Sequence, residues 1–213
     1  MSRTRPAIDI RAYRDQDEPA VLSLLGASLG GGPAGVRPPA FFRWKHLENP
    51  FGRSFMWVAE ADDQIVGLRA FMRWEFTAGD RRYLAVRAVD TATHPAHQGQ
   101  GIFSRLTLEA LDALRDQADF VFNTPNERSR PGYLKMGWQV VGKVPIRVRV
   151  RRPIRFVTRV RSWRTSVDVG ATIPSPSAPR ASDVLADGAV DGLLAAQERP
   201  VGFATPRDAA YLG

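Results

Sequence analysis

The 213-residue chain has no cysteine. That excludes disulfides, thiol catalysis and cysteine-ligated zinc. Long apolar runs are missing too: no window approaches the roughly 18 residues that a membrane-spanning helix needs. The opening MSRTRPAIDIR carries no apolar segment of the kind a secretory signal requires, so a cytoplasmic protein without a membrane span is expected. His94 and His97, three apart around Pro95, have neither the helical spacing nor the third ligand of a zinc site, and no metal is expected. Acidic residues are absent from Lys143–Arg164, which holds nine basic ones. Without those nine, 21 basic residues face 22 acidic ones, a net of −1 against +8 for the whole chain. The basicity is therefore local. The alternation Arg147, Arg149, Arg151 is what a solvated strand face looks like, so nucleic acid is not an expected partner.

What remains is ordinary apolar content in a chain long enough for one domain with a sizeable core. Ala7–Tyr13 reads as a strand. Asp15 and Glu18 fit a capping box ahead of a short helix carrying Val21, Leu22, Leu24 and Leu25. Gly26–Pro39, with five glycines and three prolines, reads as a loop, and Ala40–Glu48 as a second helix. Ser54–Glu60, Ile65–Thr77 and Tyr83–Thr93 form an expected antiparallel meander. From Ile102, apolar residues at three- and four-residue spacings (Phe103, Leu106, Ala110, Ala113, Leu114) predict the strongest helix of the chain. Asp119–Asn123 reads as a short strand and Arg130–Met136 as a brief helix stopped by Gly137. Trp138–Val141 and Val144–Val150 read as two further strands. The order predicts an α/β (α+β) fold with a mixed, mainly antiparallel sheet flanked by helices. Residues 1–150 make the expected catalytic domain, 151–182 a basic segment and linker, and 183–213 a short tail that reads as the start of a truncated second domain.

Between the meander and the strong helix lies THPAHQGQGIF, Thr93–Phe103. Two glycines one residue apart at a strand-to-helix junction allow something to approach the backbone closely. A phosphate-binding P-loop would need a lysine after the last glycine, and a dinucleotide fingerprint would need glycine where Ser104 stands. A bare tight turn remains open on the glycines alone.

Gln98-Gly99-Gln100-Gly101 after a strand ending in His94-Pro95 resembles the acetyl-CoA signature of the GNAT superfamily of N-acetyltransferases, Gln/Arg-x-x-Gly-x-Gly/Ala. Phe103 departs from it at the last place. Asn126 to Trp138 resembles the same family's Asn-x-x-Ala-x-x-Leu-Tyr-x-x-x-Gly-Phe segment, with Ser129 for alanine, Gly132 for leucine and Trp138 for phenylalanine. The lead-in AVDTATHP is similar to the enhanced-intracellular-survival branch. The resemblance spans roughly Ile8 to Val150 and implies a V-shaped cleft between strands 4 and 5. It also implies acetyl-CoA as co-substrate, its pyrophosphate on the N–H groups of a helix start where the helix dipole is positive. Ala92, Thr93, Gln98, Gly99, Gln100, Gly101, Ile102 and Phe103 are then the expected cofactor-binding run, with His97 and Arg105 as further donors and Asn126 on the pantetheine arm. Tyr133 is implied as the general acid for the departing thiolate, a task that suits a phenol, whose pKa near ~10 lies not far above a thiol's ~8.5.

An amine must be neutral when it attacks, and Asp90 is the first choice of base, ahead of Glu75 and His94. In this fold the acceptor pocket lies along the first two helices and their loop, here Gly26–Phe51 with Phe41, Phe42, Trp44 and His46. Trp57 and Trp74 on the meander are further lining candidates. The expected function is acetyl transfer to the primary amine of a small molecule or peptide; the alternative is a catalytically silent module of the same fold. Association as a homodimer stays open.

Overall fold

A computed structural model describes residues 7–29, 38–144, 181–186, 188–196, 202–208 and 211. The sheet has five strands in sequence order: β1 (Asp9–Ala12), β2 (Phe55–Ala61), β3 (Gln64–Ala78), β4 (Arg81–Thr93) and β5 (Phe120–Phe122). The first four pair antiparallel, and β5 joins β4 in parallel. Helices α1 (Glu18–Leu29), α2 (Pro39–His46), α3 (Ile102–Ala113) and α4 (Arg130–Lys135) flank the sheet. Short helices α5 (Ala181–Ala186) and α6 (Ala189–Ala196) follow. The expected order is present as far as α4, and the sheet is mixed and mainly antiparallel as expected. None of the helices described is long and apolar enough to cross a membrane.

Period-two alternation divides the core. Met56, Val58, Leu68 and Ala70 point to one face, where Val21, Leu24 and Leu25 of α1 and Phe42 of α2 cover them. Ala59 meets Ile102 and Leu106 of α3 on the other face, where Phe71 and Val86 meet Ala110 and Leu114. Gly67 is a glycine because α3 lies directly over it. A Cβ there would come within 2.8 Å of Leu106 Cδ1 and 2.9 Å of Ile102 Cγ2. The close approach seats the first turn of α3 on β3.

Three expectations need correction. α1 runs through Gly26 to Leu29 instead of ending at Gly26. Its buried Val21, Leu24 and Leu25 outweigh the roughly 1 kcal/mol that a helical glycine costs. The Asp15/Glu18 capping box is replaced by a 3-10 turn, Asp15–Asp17, in which the Asp17 carboxylate accepts from the Arg14 N–H at 2.8 Å. Glu18 instead accepts from Arg43 of α2 at 2.9 Å, tying the two helices together. Trp138–Val141 forms no strand among the described residues, and Val140 and Val141 are exposed. Among the described residues β5 pairs with β4 alone, and the further strand expected over Val144–Val150 lies outside them beyond Val144. The basic helix expected over Pro153–Arg164 and nearly all of the linker Thr172–Ser182 lie outside them too.

Near the C-terminus, Ala204 makes an antiparallel bridge to Thr77 at the end of β3, and Trp74 Nε1 donates to Thr205 Oγ1 at 2.9 Å. The Phe203 ring packs on Tyr83 at 4.9 Å and on Phe120 at 5.9 Å.

Gly67→Ala should destabilise the fold by about 2 kcal/mol, an overpacking cost paid where α3 meets β3. A urea midpoint unchanged from the parent chain would show that α3 is not seated there.

Candidate active site

β4 and β5 pair over three positions only, Ala85↔Phe120, Val86↔Val121 and Arg87↔Phe122. Beyond them the strands part. The gap is a cleft of about 750 Å³ lined on one wall by Arg87 to Thr93 of β4 and on the other by Asn123, Thr124, Pro125, Asn126, Ser129 and Tyr133. His97, Gln98, Gly99, Gly101, Ile102 and Phe103 close one end, and Ser28 and Lys45 bring in α1 and α2. Tyr133, Asp90, Asn126 and the expected cofactor-binding run from Ala92 to Phe103, Gln100 excepted, line this one cleft.

The glycine run folds as the backbone requires. Gly99 and Gly101 stand at φ 75° and 76°, in the left-handed region, and Gly101 caps α3. Nothing lies within 4 Å of a Cβ built on either, so the space over them is open. The first helical bond runs from Arg105 N–H to Gly101 O at 3.0 Å. The N–H groups of the first turn therefore have no intrahelical acceptor, and they face a cradle fit for a phosphate. Gln98 spends its side-chain N–H on Thr93 O at 3.3 Å. Arg105 pairs with Glu109 and reaches Ile8 O, outside the cleft.

Phe103 and Gly132, two of the four departures from the family pattern, touch. A Cβ on Gly132 would lie 3.0 Å from Phe103 Cε1. The Phe103 ring in turn stands edge-on to Tyr133 at 5.4 Å. The large residue on α3 occupies the volume that a side chain on α4 would otherwise fill. Asn126 Oδ1 accepts from Ser129 N–H at 2.9 Å and from Ser129 Oγ at 3.0 Å, fixing the turn into α4.

Asp90 sits in a β-bulge. Leu68 pairs with Ala92 and Ala70 with Val89, so Asp90 and Thr91 together oppose Arg69. Asp90 takes φ 43°, a strained conformation for a residue with a side chain. Its Oδ2 is 2.6 Å from Lys45 Nζ and 2.8 Å from His46 Nε2, and His46 Nδ1 is 2.9 Å from Ser54 Oγ. The other candidate bases lie elsewhere: Glu75 pairs with Arg82 near the β3–β4 turn, and His94 Nδ1 accepts from Ala96 N–H. Phe41, Phe42, Trp44, His46, Trp57 and Trp74 do not line the cleft. Phe42 and His46 are core, Trp57 packs on Phe71, and Trp74 packs on Phe51 and Tyr211. Among the described residues no group of His, Asp or Glu is placed to hold a metal ion.

Arg69, which belongs to no motif in the sequence, is also part of the site. It is fully buried, donates from Nη1 to Tyr133 Oη at 2.8 Å, and also contacts Thr91 Oγ1. Burial pulls its pKa below the ordinary value, and the Tyr133 oxygen opposes that pull. The signal was available: in IVGLRAFMRWEFT, period two puts this arginine on the same face as Gly67 and Phe71.

Residues 9–141 match the profile of the acetyltransferase (GNAT) domain family. The chain belongs to the GNAT acetyltransferase family. Solved structures share its fold. An acetyltransferase from Trypanosoma brucei is 21% identical with a TM-score of 0.51, over 68% of this chain and 100% of that one. A predicted acetyltransferase from Clostridium acetobutylicum, solved with acetyl-CoA, is 18% identical with a TM-score of 0.53, over 66% and 96%. Ribosomal-protein-alanine N-acetyltransferase from Brucella melitensis is 18% identical with a TM-score of 0.52, over 68% and 99%. No protein of curated function matches the chain.

The contact between Phe103 and Gly132 predicts coupling. Gly132→Leu should cost about 2 kcal/mol by overpacking and Phe103→Ala about 2 kcal/mol by leaving a hole, while the double variant costs at least 1 kcal/mol less than their sum. Denaturant unfolding of the four proteins measures this, and strict additivity would refute the exchange of volume.

Proposed function

We propose that the chain transfers an acetyl group from acetyl-CoA to the primary amine of a small molecule or peptide by direct attack. One observation carries this: Tyr133 and the glycine-capped start of α3 line the same cleft. Acetyl-CoA, when bound, supplies an acetyl group activated as a thioester. Gly99 to Phe103 would hold its pyrophosphate with backbone N–H groups, and Asn126 the pantetheine arm. Tyr133 would give its phenolic proton to the departing sulfur. Asp90 is the one carboxylate among the cleft-lining residues and the proposed proton acceptor, with His46 Nε2 at 2.8 Å as the next group along. Lys45 beside it makes the acceptor end mixed in charge.

A silent module of the same fold would rest on Phe103, Gly132 and the lack of an obvious base, the role here proposed for Asp90. The mutual packing of Phe103 and Gly132 accounts for both without loss of the site, so the enzyme is favoured. The lead-in AVDTATHP supports placing the chain toward the enhanced-intracellular-survival branch. We keep residues 1–150 as the catalytic domain, 151–182 as basic segment and linker, and 183–213 as a tail. The contacts of Phe203, Ala204 and Thr205 with the β3–β4 hairpin support a tail docked on that domain. A homodimer, no nucleic-acid partner and a cytoplasmic location complete the proposal.

Two substitutions test it. Gly101→Val puts a branched side chain at φ 76° and into the open space over the helix start. Acetyl-CoA affinity by calorimetry should fall at least tenfold, about 1.4 kcal/mol, and an unchanged Kd in the folded variant would remove the phosphate site from Gly99–Phe103. Tyr133→Phe keeps the ring and loses the proton. With a panel of amines, kcat should fall roughly 10²-fold while acetyl-CoA affinity stays put; turnover within about threefold of the parent would place the acid elsewhere.

A further inference from the structure

Arg69 is the largest side chain in the fully buried core, and it has no carboxylate partner among the described residues. Burying a cation without a counter-ion costs several kcal/mol unless other groups compensate. The surroundings compensate in part. The guanidinium lies 4.7 Å from the Phe71 ring centroid, 5.2 Å from Tyr133 and 5.6 Å from Phe103. Nε and Nη2 nevertheless meet no hydrogen-bond acceptor among the described residues. Stability alone would be better served by an apolar residue at this position, between Gly67 and Phe71 on the α3 side of the sheet.

Hydrogen-bond chemistry supplies a reason for the arginine. A guanidinium has five donors and no acceptor. In its 2.8 Å bond to Tyr133, the phenolic oxygen must therefore be the acceptor. The Tyr133 proton cannot point at Arg69, and Tyr133 lines the cleft. We infer that Arg69 is a positioning residue for Tyr133, holding the phenolic oxygen so that its O–H is directed at the thioester sulfur. The inference rests on the acetyl-transfer reading of the cleft. In the step itself, the amine nitrogen would bond to the acetyl carbon as the C–S bond breaks, the sulfur would keep that electron pair and take the proton of Tyr133 Oη, and the amine would give its own proton to the base of the cleft. The phenolate left behind would face the Arg69 cation and regain a proton through solvent, to which the base releases the one taken from the amine. The bulge contributes as well, because it turns the Thr91 hydroxyl toward the same Nη1 and fixes the guanidinium from the β4 side.

The test needs no acceptor amine. Binding of CoA and of desulfo-CoA, which lacks the thiol, is measured calorimetrically at pH 8.5. The difference isolates what the sulfur contributes. The parent chain should prefer CoA about tenfold. Tyr133→Phe and Arg69→Met should each reduce that preference to below twofold, and the double variant should lose no more than either alone. Desulfo-CoA affinity should stay within about twofold throughout, a constancy that a collapsed site would not give. Arg69→Lys keeps a cationic donor and should retain part of the preference; it carries the test if Arg69→Met does not fold. Loss of the preference in Tyr133→Phe but not in the Arg69 variants, or equal binding of the two ligands by the parent, overturns the role of Arg69 and leaves acetyl-CoA binding standing. No binding of either ligand by the parent overturns the acetyl-CoA reading, and the inference with it.

Discussion

The cleft exists because β4 and β5 are hydrogen-bonded for three residues and no further. A parallel pair that continued would close the sheet and bury the backbone of Ala88 to Thr93. Two local features stop it. β5 ends at Phe122, where the chain turns through Thr124 and Pro125 toward α4. On the other side β4 bulges at Asp90 and Thr91, which changes its twist just beyond the last paired residue. Arg87, at that last pair, ties the two sides with a 3.1 Å bond from Nη2 to Thr124 Oγ1. The start of α3 and the start of α4 then converge on a single gap, although 28 residues separate Ile102 from Arg130.

The bulge also separates two kinds of chemistry. On the face covered by α2, Asp90 turns to Lys45 and His46, and His46 turns to Ser54. On the face covered by α3, Thr91 turns to Arg69 and through it to Tyr133. Adjacent residues of a regular strand would point to opposite faces anyway. The extra residue lets both of them sit opposite Arg69 without displacing Ala92 or Val89 from the ladder. The strain at Asp90, φ 43°, is held by its two partners on α2.

Strands, helices and the glycine run were legible because each has a local cause: period two in β2 to β4, 3.6-residue spacing in α3, and positive φ at Gly99 and Gly101. Asn126 and Tyr133, which both line the cleft, stood out only through the resemblance of their segment to the family pattern. The partners were not legible. Nothing in AFFRWKHLE tells that Lys45 and His46 meet Asp90, since the pairing depends on how α2 is laid across the sheet. Arg69 looked like one polar residue within a strand, and its weight appears only once α3 and α4 close over it. Gly132 and Phe103 each read as a lapse from a pattern; as neighbours they are one exchange of volume, invisible to position-by-position comparison.

Of the residues expected along the acceptor pocket, Phe42, His46, Trp57 and Trp74 are committed to packing elsewhere, while Phe41 and Trp44 of α2 are exposed and pack on each other. Trp74 stacks with Phe51 and Tyr211, and Phe76 packs on Phe120, Phe122 and Phe203. These rings cover the far end of the β3–β4 hairpin together with the C-terminal segment. That leaves Phe103 and Tyr133 as the aromatic side chains lining the cleft among the described residues, both beside the helix start where the co-substrate would lie. The other end of the cleft is lined by Ser28, Lys45 and Asp90. Ser28 donates to Thr93 O at 3.2 Å and Lys45 is held by Asp90, so each polar group reaches the cleft already oriented by the protein. Charge and hydrogen bonding at fixed positions are therefore what Ser28, Lys45 and Asp90 offer at this end of the cleft.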